Sequence, residues 1–192
     1  NNQAISVPAD LIVTDELDFS DEEVVSNFNS RLTHSKYKWQ FALSTPTSYK
    51  VGIDKKFRAS KRHFNFTCCD HCGHFFLPDY YSHVKIPGFT GDLREITATN
   101  IHKFDVENAK LRCPRCDAVP SLRVEHREWI CENPSENYVA EGFQVSPFDA
   151  PNIITVPYLV RTSTKYKRRA DFDNFNLGLP SEDAESSVLK SD

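Results

Sequence analysis

Apolar and polar positions alternate in blocks along this chain, and the first block is the most compact. Leu11-Ile12-Val13-Thr14 is aliphatic and β-branched and runs directly into the carboxylates of Asp15 and Glu16. That is the pattern of a short buried strand whose last side chains emerge at its carboxyl end. Val24, Val25, Phe28 and Leu32 then recur at helical spacing, which predicts a helix over about Asp21 to Leu32 with its apolar stripe against a sheet. Ser20 and Glu23 match a capping box, and acidic residues fill the first turn, where the helix dipole favours them. Tyr37 to Leu43 predicts a second strand, ending at Ser44-Thr45-Pro46-Thr47. A strand, helix, strand unit of this length is a right-handed crossover between parallel strands, so Ser44 and Thr45 should share a sheet edge with Asp15 and Glu16.

Further along, Ile53 and Phe57 lie four apart inside a basic stretch, Lys55, Lys56, Phe57, Arg58, Ala59, Ser60, Lys61 and Arg62. This reads as a short helix with an apolar anchor and a basic outer face. Phe75, Phe76, Leu77, Tyr80, Tyr81, Val84, Ile86 and Phe89 supply enough apolar surface for short strands. Val124 to Ala140 is polar, with Trp129 and Cys131 as isolated large residues, and Glu141 to Pro147 alternates like a strand. The stretch from Pro151 to Val160, bracketed by prolines, is a strand or a helix start. Arg161, Lys165, Lys167, Arg168 and Arg169 follow, with Tyr158 and Tyr166 interleaved; they form a solvated helix face or a track along a phosphate backbone. From Ser181 to Asp192 the chain is a polar, Ser- and acid-rich tail.

Composition narrows the class. A hydrophobic share of 39% and a charged share of 26% are those of an ordinary globular chain, neither disordered nor fibrous. The net charge of −4 excludes a protein that is basic overall, though it leaves room for a local nucleic-acid-binding face. No window approaches the roughly 18 apolar residues of a membrane span, and no signal-peptide core is present, so no membrane association is expected. The first residue is Asn, close to a core strand, which suggests a fragment or processed piece. The six cysteines cluster in Cys-x-x-Cys pairs, which favours metal over disulfides and suits a reducing compartment.

Two sets of residues carry candidate chemistry. An acidic pair at the carboxyl end of a strand is placed to hold Mg²⁺ through Asp15 while Glu16 orients or deprotonates a water, as in the Walker B strand of nucleotide-hydrolysing folds. Ser44 and Thr45 could hydrogen-bond a carboxylate, a water or a phosphate oxygen at the same edge. Equally, Asp, Glu, Ser and Thr are ordinary turn residues. The second set is Cys69-Asp70-His71-Cys72 and Cys113-Pro114-Arg115-Cys116, two knuckles separated by roughly 40 residues. Four thiolates complete a closed tetrahedral Zn²⁺ shell with no open position, which makes a fold staple and not a zinc hydrolase. Gly73 relaxes the turn after the first pair. His71 and His74 are possible substitutes, but four cysteines suffice, and Cys68 and Cys131 are left over.

An aliphatic strand ending Asp15-Glu16, a capped helix, and a strand ending Ser44-Thr45-Pro46-Thr47 followed by Gly52-Ile53-Asp54 together resemble the ATPase region of the large terminase subunit of tailed bacteriophages. Phe172-Asp173-Asn174-Phe175-Asn176-Leu177-Gly178 is similar to the stretch that precedes the nuclease linker in that family, with Phe175 where a small polar residue is common. Some members also carry a zinc insertion in the ATPase region. The resemblance runs from about Leu11 to about Pro180.

It implies an α/β fold: the C-terminal part of a P-loop (RecA/ASCE-like) parallel-sheet ATPase domain with an inserted four-cysteine zinc-ribbon-like module. The corresponding division is 1–62 for the Walker B and coupling half, 63–123 for the insertion, 124–180 for the remainder and linker region, and 181–192 for the tail. It further implies Asp15 as Mg²⁺ ligand, Glu16 as catalytic carboxylate, Ser44 and Thr45 as coupling motif, and Cys69, Cys72, Cys113 and Cys116 as Zn²⁺ ligands. ATP and Mg²⁺ would serve the intact protein. Double-stranded DNA, the small terminase subunit, the prohead portal protein and further copies of the chain would be partners, in the host cytoplasm. Lys55, Lys56, Arg58, Lys61, Arg62, Lys165, Lys167, Arg168 and Arg169 are the candidate DNA contacts.

No Gly-x-x-x-x-Gly-Lys-Ser/Thr occurs in the chain, so the phosphate-cradling loop must come from elsewhere and these residues alone should not hydrolyse ATP. Nothing beyond Pro180 is long enough for a carboxylate-rich nuclease. Two alternatives stand beside this reading: a zinc-stabilised nucleic-acid-binding module without catalysis, and a superfamily-two helicase fragment, which also places an Asp-Glu strand before a Ser/Thr motif.

Overall fold

A computed structural model describes residues 7–181; the expected tail from 182 onward lies outside the described residues. It is a mixed α/β structure built on small sheets. Strand β1 (Leu11–Thr14), helix α1 (Glu22–Asn29) and strand β2 (Trp39–Ala42) form the expected crossover. β1 and β2 are parallel, in a register that pairs Leu11 with Trp39 and Thr14 with Ala42.

Burial departs from expectation here. Leu11, Val13, Trp39 and Phe41, which share one face by register, are 45–59% exposed. No residue of α1 is buried, and only Leu32, in the 3-10 turn Ser30–Leu32, reaches the interior. A two-stranded sheet simply offers too little area to cover its faces. The cap moves by one residue: Asp21 Oδ1 accepts from the amides of Glu23 (2.8 Å) and Val24 (3.2 Å). The Ser20 hydroxyl instead donates back to the Glu16 carbonyl at 3.1 Å, so it is not free to complete a box.

Helix α2 (Gly52–Arg58) follows, as the Ile53/Phe57 spacing predicts. It leads into β3 (Lys61–Cys68), the centre of the larger sheet. β4 (Phe75–Phe76) pairs antiparallel with the end of β3, β7 (Arg127–Cys131) antiparallel along its length, and β8 (Glu141–Gln144) parallel with its first half. β7 lies inside the stretch that reads as featureless polar sequence. Its alternation is Arg127, Trp129 and Cys131 against Glu128 and Ile130, in which Ile130 is the single aliphatic residue and neither face reads as continuously apolar.

A buried ion pair lets Arg127 occupy such a strand. Its guanidinium donates to the Phe148 carbonyl (2.7 Å) and the Asn65 carbonyl (3.1 Å) and pairs with Asp149. Asp149 is held in turn by Asn65 Nδ2 (2.8 Å) and the Ser146 amide (2.6 Å). Burial pulls the Arg127 pKa down, and the Asp149 carboxylate opposes the shift.

Between the cysteine knuckles the chain forms the expected short strands, β4 and two more, together with a short helix and a set of turns. Helix α3 (Tyr80–His83) leads into β5 (Val84–Lys85), which pairs antiparallel with β6 (Lys110–Leu111). Three 3-10 turns, Leu93–Glu95, Ile101–Lys103 and Val106–Asn108, fill the interval. Helix α4 (Val156–Ser163), capped by the Thr155 hydroxyl, resolves the choice at Pro151 to Val160. Helix α5 (Arg169–Phe172) continues as a π-turn, Asp173–Leu177, closed by Gly178 at φ +65°.

One core joins the interval to this last segment. Phe76, Tyr80, Val84, Ile86, Leu93, Ile96, Val106 and Leu111 pack with Phe148, Leu159, Val160, Phe172 and Leu177. Tyr80 and Phe172 meet edge to face at 5.3 Å. At about 1.5–3 kcal/mol for each large side chain, this cluster dominates the hydrophobic stabilisation. Among the described residues, no helix is long and apolar enough to cross a membrane.

A pH dependence is built into this core. His83 Nδ1 accepts a hydrogen bond from the Asp79 amide at 3.1 Å, which requires the neutral ring. Burial lowers the His83 pKa, with Asp79 opposing and Lys85 adding to the shift. The unfolded ring titrates near about 6.5, so this contribution to stability is present above that pH and is lost as pH falls through the depressed folded value. Comparing unfolding midpoints at pH 7 and 5.5, we expect a smaller acid-induced drop in His83→Phe than in the wild type. Parallel drops would show that His83 does not titrate against folding.

Candidate metal centre and acidic strand end

The two Cys-x-x-Cys segments fold into matching knuckles. In the first, the Cys69 amide donates to the His74 carbonyl (2.9 Å) and the Gly73 amide to the Cys69 carbonyl (2.8 Å). In the second, the Cys113 amide donates to the Ala118 carbonyl and the Asp117 amide to the Cys113 carbonyl, each at 2.9 Å. Both need a left-handed residue after the second cysteine: Gly73 at φ +68° and Asp117 at φ +59°. Glycine takes that conformation freely and aspartate is among the few others that tolerate it. Backbone amides reach the sulfurs in the same order: His71 and Cys72 to Cys69, His74 to Cys72, Arg115 and Cys116 to Cys113, and Ala118 to Cys116.

The knuckles face each other. Cys69 Sγ lies 3.7 Å from Cys116 Sγ, Cys72 Sγ lies 3.7 Å from Cys113 Sγ, and all four sulfurs are within 4.8 Å of one another. A tetrahedral ion with metal–sulfur bonds of about 2.3 Å sets its sulfurs about 3.8 Å apart, so the residues present fit such an ion. Burial opposes ionisation of Cys113, but the amides of Cys116 and Arg115 and the neighbouring thiols outweigh it and bring its pKa down to about 7. A cation at the centre would stabilise the other thiolates. Asp70 accepts from the Ser121 amide at 3.0 Å, lacing the first knuckle to the chain beyond the second. Cys68, on β3, and Cys131, on β7, stand outside the cluster.

At the other end of the chain, parallel pairing places the acidic turn and the hydroxyls together. The Leu43 amide donates to the Thr14 carbonyl (2.8 Å) and the Leu17 amide to the Leu43 carbonyl (3.0 Å), so β2 runs on beside the turn. Asp15 and Glu16 are both exposed. Asp15 Oδ1 accepts from the Glu16 amide at 3.0 Å, and Glu16 sits in the left-handed region at φ +52°. Ser44 Oγ accepts from the Asp18 amide (3.0 Å) and donates to the Thr45 carbonyl (3.1 Å). Pattern reading passed over Asp18, although it makes more contacts than either member of the pair. Its Oδ2 accepts from the Thr47 amide (3.0 Å) and hydroxyl (2.9 Å), and its Oδ1 from the Ile53 amide (2.6 Å).

The candidate DNA contacts divide into two groups. Arg58 pairs with Asp54 (2.7 Å) and lies over the Tyr49 ring, Lys61 pairs with Glu141 (3.8 Å), and Arg62 with Glu132 (2.8 Å). Arg168 pairs with Asp171 at 2.5 Å, and Arg169 donates to the Arg94 and Ile96 carbonyls. Lys55, Lys56, Lys165 and Lys167 are exposed and have no ion pair among the described residues. No protein-family model, curated protein or solved structure matches this chain.

Proposed function

We propose that this chain is part of the ATPase region of a large terminase subunit, whose ATP hydrolysis drives double-stranded DNA into proheads, and that its four cysteines hold a structural Zn²⁺. The observation that carries the reading is the parallel register of β1 and β2, with Asp15-Glu16 and Ser44-Thr45 at one end of one small sheet. In this reading Asp15 holds Mg²⁺, Glu16 orients the attacking water, and Ser44 and Thr45 sense the nucleotide. The exposed apolar face of Leu11, Val13, Trp39 and Phe41 is consistent with a larger sheet, because parallel sheets are normally covered on both faces. The phosphate loop and the nuclease would then lie in other parts of the same protein.

The test is Glu16→Gln in the intact protein. Nucleotide binding should persist while turnover falls by about 10² or more, the scale of a lost general base. Unchanged turnover would remove Glu16 from this role.

A zinc-stabilised nucleic-acid-binding module is the second reading, favoured by Lys55, Lys56, Lys165 and Lys167, which are exposed and have no ion pair among the described residues. It requires DNA affinity with a steep salt dependence in this chain alone, and a shallower slope when these lysines are neutralised.

A further inference from the structure

Beside the four-cysteine cluster the fold sets a row of cations on one outward face. In the antiparallel β5–β6 ladder, Val84 pairs with Leu111 and Lys85 with Lys110. Val84 and Leu111 are buried, so the ladder turns the two lysines outward, directly opposite each other and both exposed. Like charges in that position repel and weaken the pair. The Arg112 amide donates to the His83 carbonyl at 2.8 Å, which carries the ladder one residue further. Strand alternation then sets Arg112 on the face of Lys110, about 7 Å along the strand. Arg112 Nη1 donates to the Asp117 carbonyl at 3.1 Å. Arg115, exposed in the turn between Cys113 and Cys116, extends the row onto the second knuckle.

None of these four cations has an ion pair among the described residues. Two carboxylates that precede β6 are engaged elsewhere: Glu107 pairs with Arg161, and Asp105 accepts from Asn108 Nδ2 at 2.8 Å. Asp117 is exposed and forms no ion pair with the row. The whole chain carries a net charge of −4, so this concentration of positive charge is local and does not follow from a basic composition.

We propose that Lys85, Lys110, Arg112 and Arg115 form a track for the phosphate backbone of duplex DNA. Duplex DNA is a partner in the first reading above and a ligand of the kind required by the second, and the inference rests on that. A phosphate seated between Lys85 and Lys110 replaces their mutual repulsion with two attractions, and the arginines can take phosphate oxygens bidentately. Contacts of this kind position a protein on DNA without reading its bases, so binding should be steeply salt-dependent and indifferent to sequence. The competing role for the same cations is to balance four thiolates around a divalent ion, and zinc content separates the two.

The experiment is a fluorescence-anisotropy titration of a labelled, mixed-sequence DNA duplex with the zinc-loaded 192-residue chain, across about 50 to 200 mM salt. In Lys85→Gln/Lys110→Gln, and again in Arg112→Gln/Arg115→Gln, the slope of log affinity against log salt should become shallower by about 1.8, or about 0.9 for each lost phosphate contact. Both variants should keep one zinc per chain. Lys110→Glu should also lose affinity, while the thermal midpoint of the free chain holds or rises, because an attraction replaces the repulsion across the ladder. It is the decisive variant if a double substitution fails to fold. Affinity that falls only together with zinc content overturns the proposal in favour of charge balance at the metal. A slope unchanged in both double variants also overturns it; the second reading survives if the slope falls instead on neutralising Lys55, Lys56, Lys165 and Lys167. No affinity in the wild type removes the proposal and the second reading together, and leaves the role of Glu16 to its own test.

Discussion

Removing metal from the four-cysteine cluster is expected to unfold the core of this chain. The reason is that the interval between the knuckles, which supplies much of the buried core, has little regular secondary structure of its own. β4, β5 and β6 are two residues each, α3 is four, and the rest is turns. Elements this short do not stand alone, because closing and ordering a long interval costs conformational entropy that a few ladder bonds do not recover. A Zn²⁺ held by Cys69, Cys72, Cys113 and Cys116 would pin both ends of the interval at one point. Structural zinc sites in small peptides are worth about 10–16 kcal/mol in apparent binding free energy, comparable to or above the total stability of a typical domain, about 5–15 kcal/mol. Because the same core includes Phe148, Leu159, Val160, Phe172 and Leu177, the loss should spread to α4 and α5. We expect one zinc per chain by elemental analysis and a thermal midpoint tens of degrees lower after chelation, following the size of that binding energy. Cys113→Ser should behave like the chelated protein, whereas Cys68→Ser, outside the cluster, should not. An unchanged midpoint with and without chelator would remove the staple.

Arg127→Met is expected to cost about 3–5 kcal/mol, the range for breaking one side of a buried ion pair. The side chains of Arg127 and Asp149 are only 4% and 12% exposed, so solvent cannot replace the lost partner. The substitution leaves the Asp149 carboxylate without its cation and strips donors from the Asn65 and Phe148 carbonyls. Through Asn65 the damage reaches β3, the strand on which β4, β7 and β8 assemble. The double variant Arg127→Met/Asp149→Leu should recover part of the loss, because an apolar pair carries no uncompensated charge. Urea denaturation of the single and double variants is the check. A single-variant cost under about 1 kcal/mol, the level of an exposed pair, would show that water reaches the site.

Local pattern was legible wherever the chemistry of a few adjacent residues decides the outcome. The strand, helix, strand crossover and its parallel pairing follow from apolar spacing and connection length, and α2 follows from Ile53 and Phe57 four apart. Elsewhere, the pattern failed for identifiable reasons. β7 was hidden because its Arg127 is buried by an ion pair with a residue 22 positions away, so its composition looks like loop. Ser20 and Asp21 are both good caps, and the choice fell on Asp21 because the Ser20 hydroxyl had a nearer partner in the Glu16 carbonyl. Asp18 looked like one more acid in an acidic turn, since its partners Thr47 and Ile53 lie 29 and 35 residues ahead.

What the sequence by itself determined, then, was the two Cys-x-x-Cys knuckles and the acidic strand end with its hydroxyl-bearing neighbour. Knuckle geometry is closed within a few residues by amide–sulfur bonds, and strand ends are placed by crossover length. Only the tertiary structure decided that the two knuckles meet at sulfur distances suited to one ion, and that the interval between them shares its core with α4 and α5. Only it showed that Asp18 bridges the acidic turn to α2. Each of these depends on contacts between segments tens of residues apart, which spacing along a chain cannot encode because burial and long-range hydrogen bonding are settled by the packing of the whole.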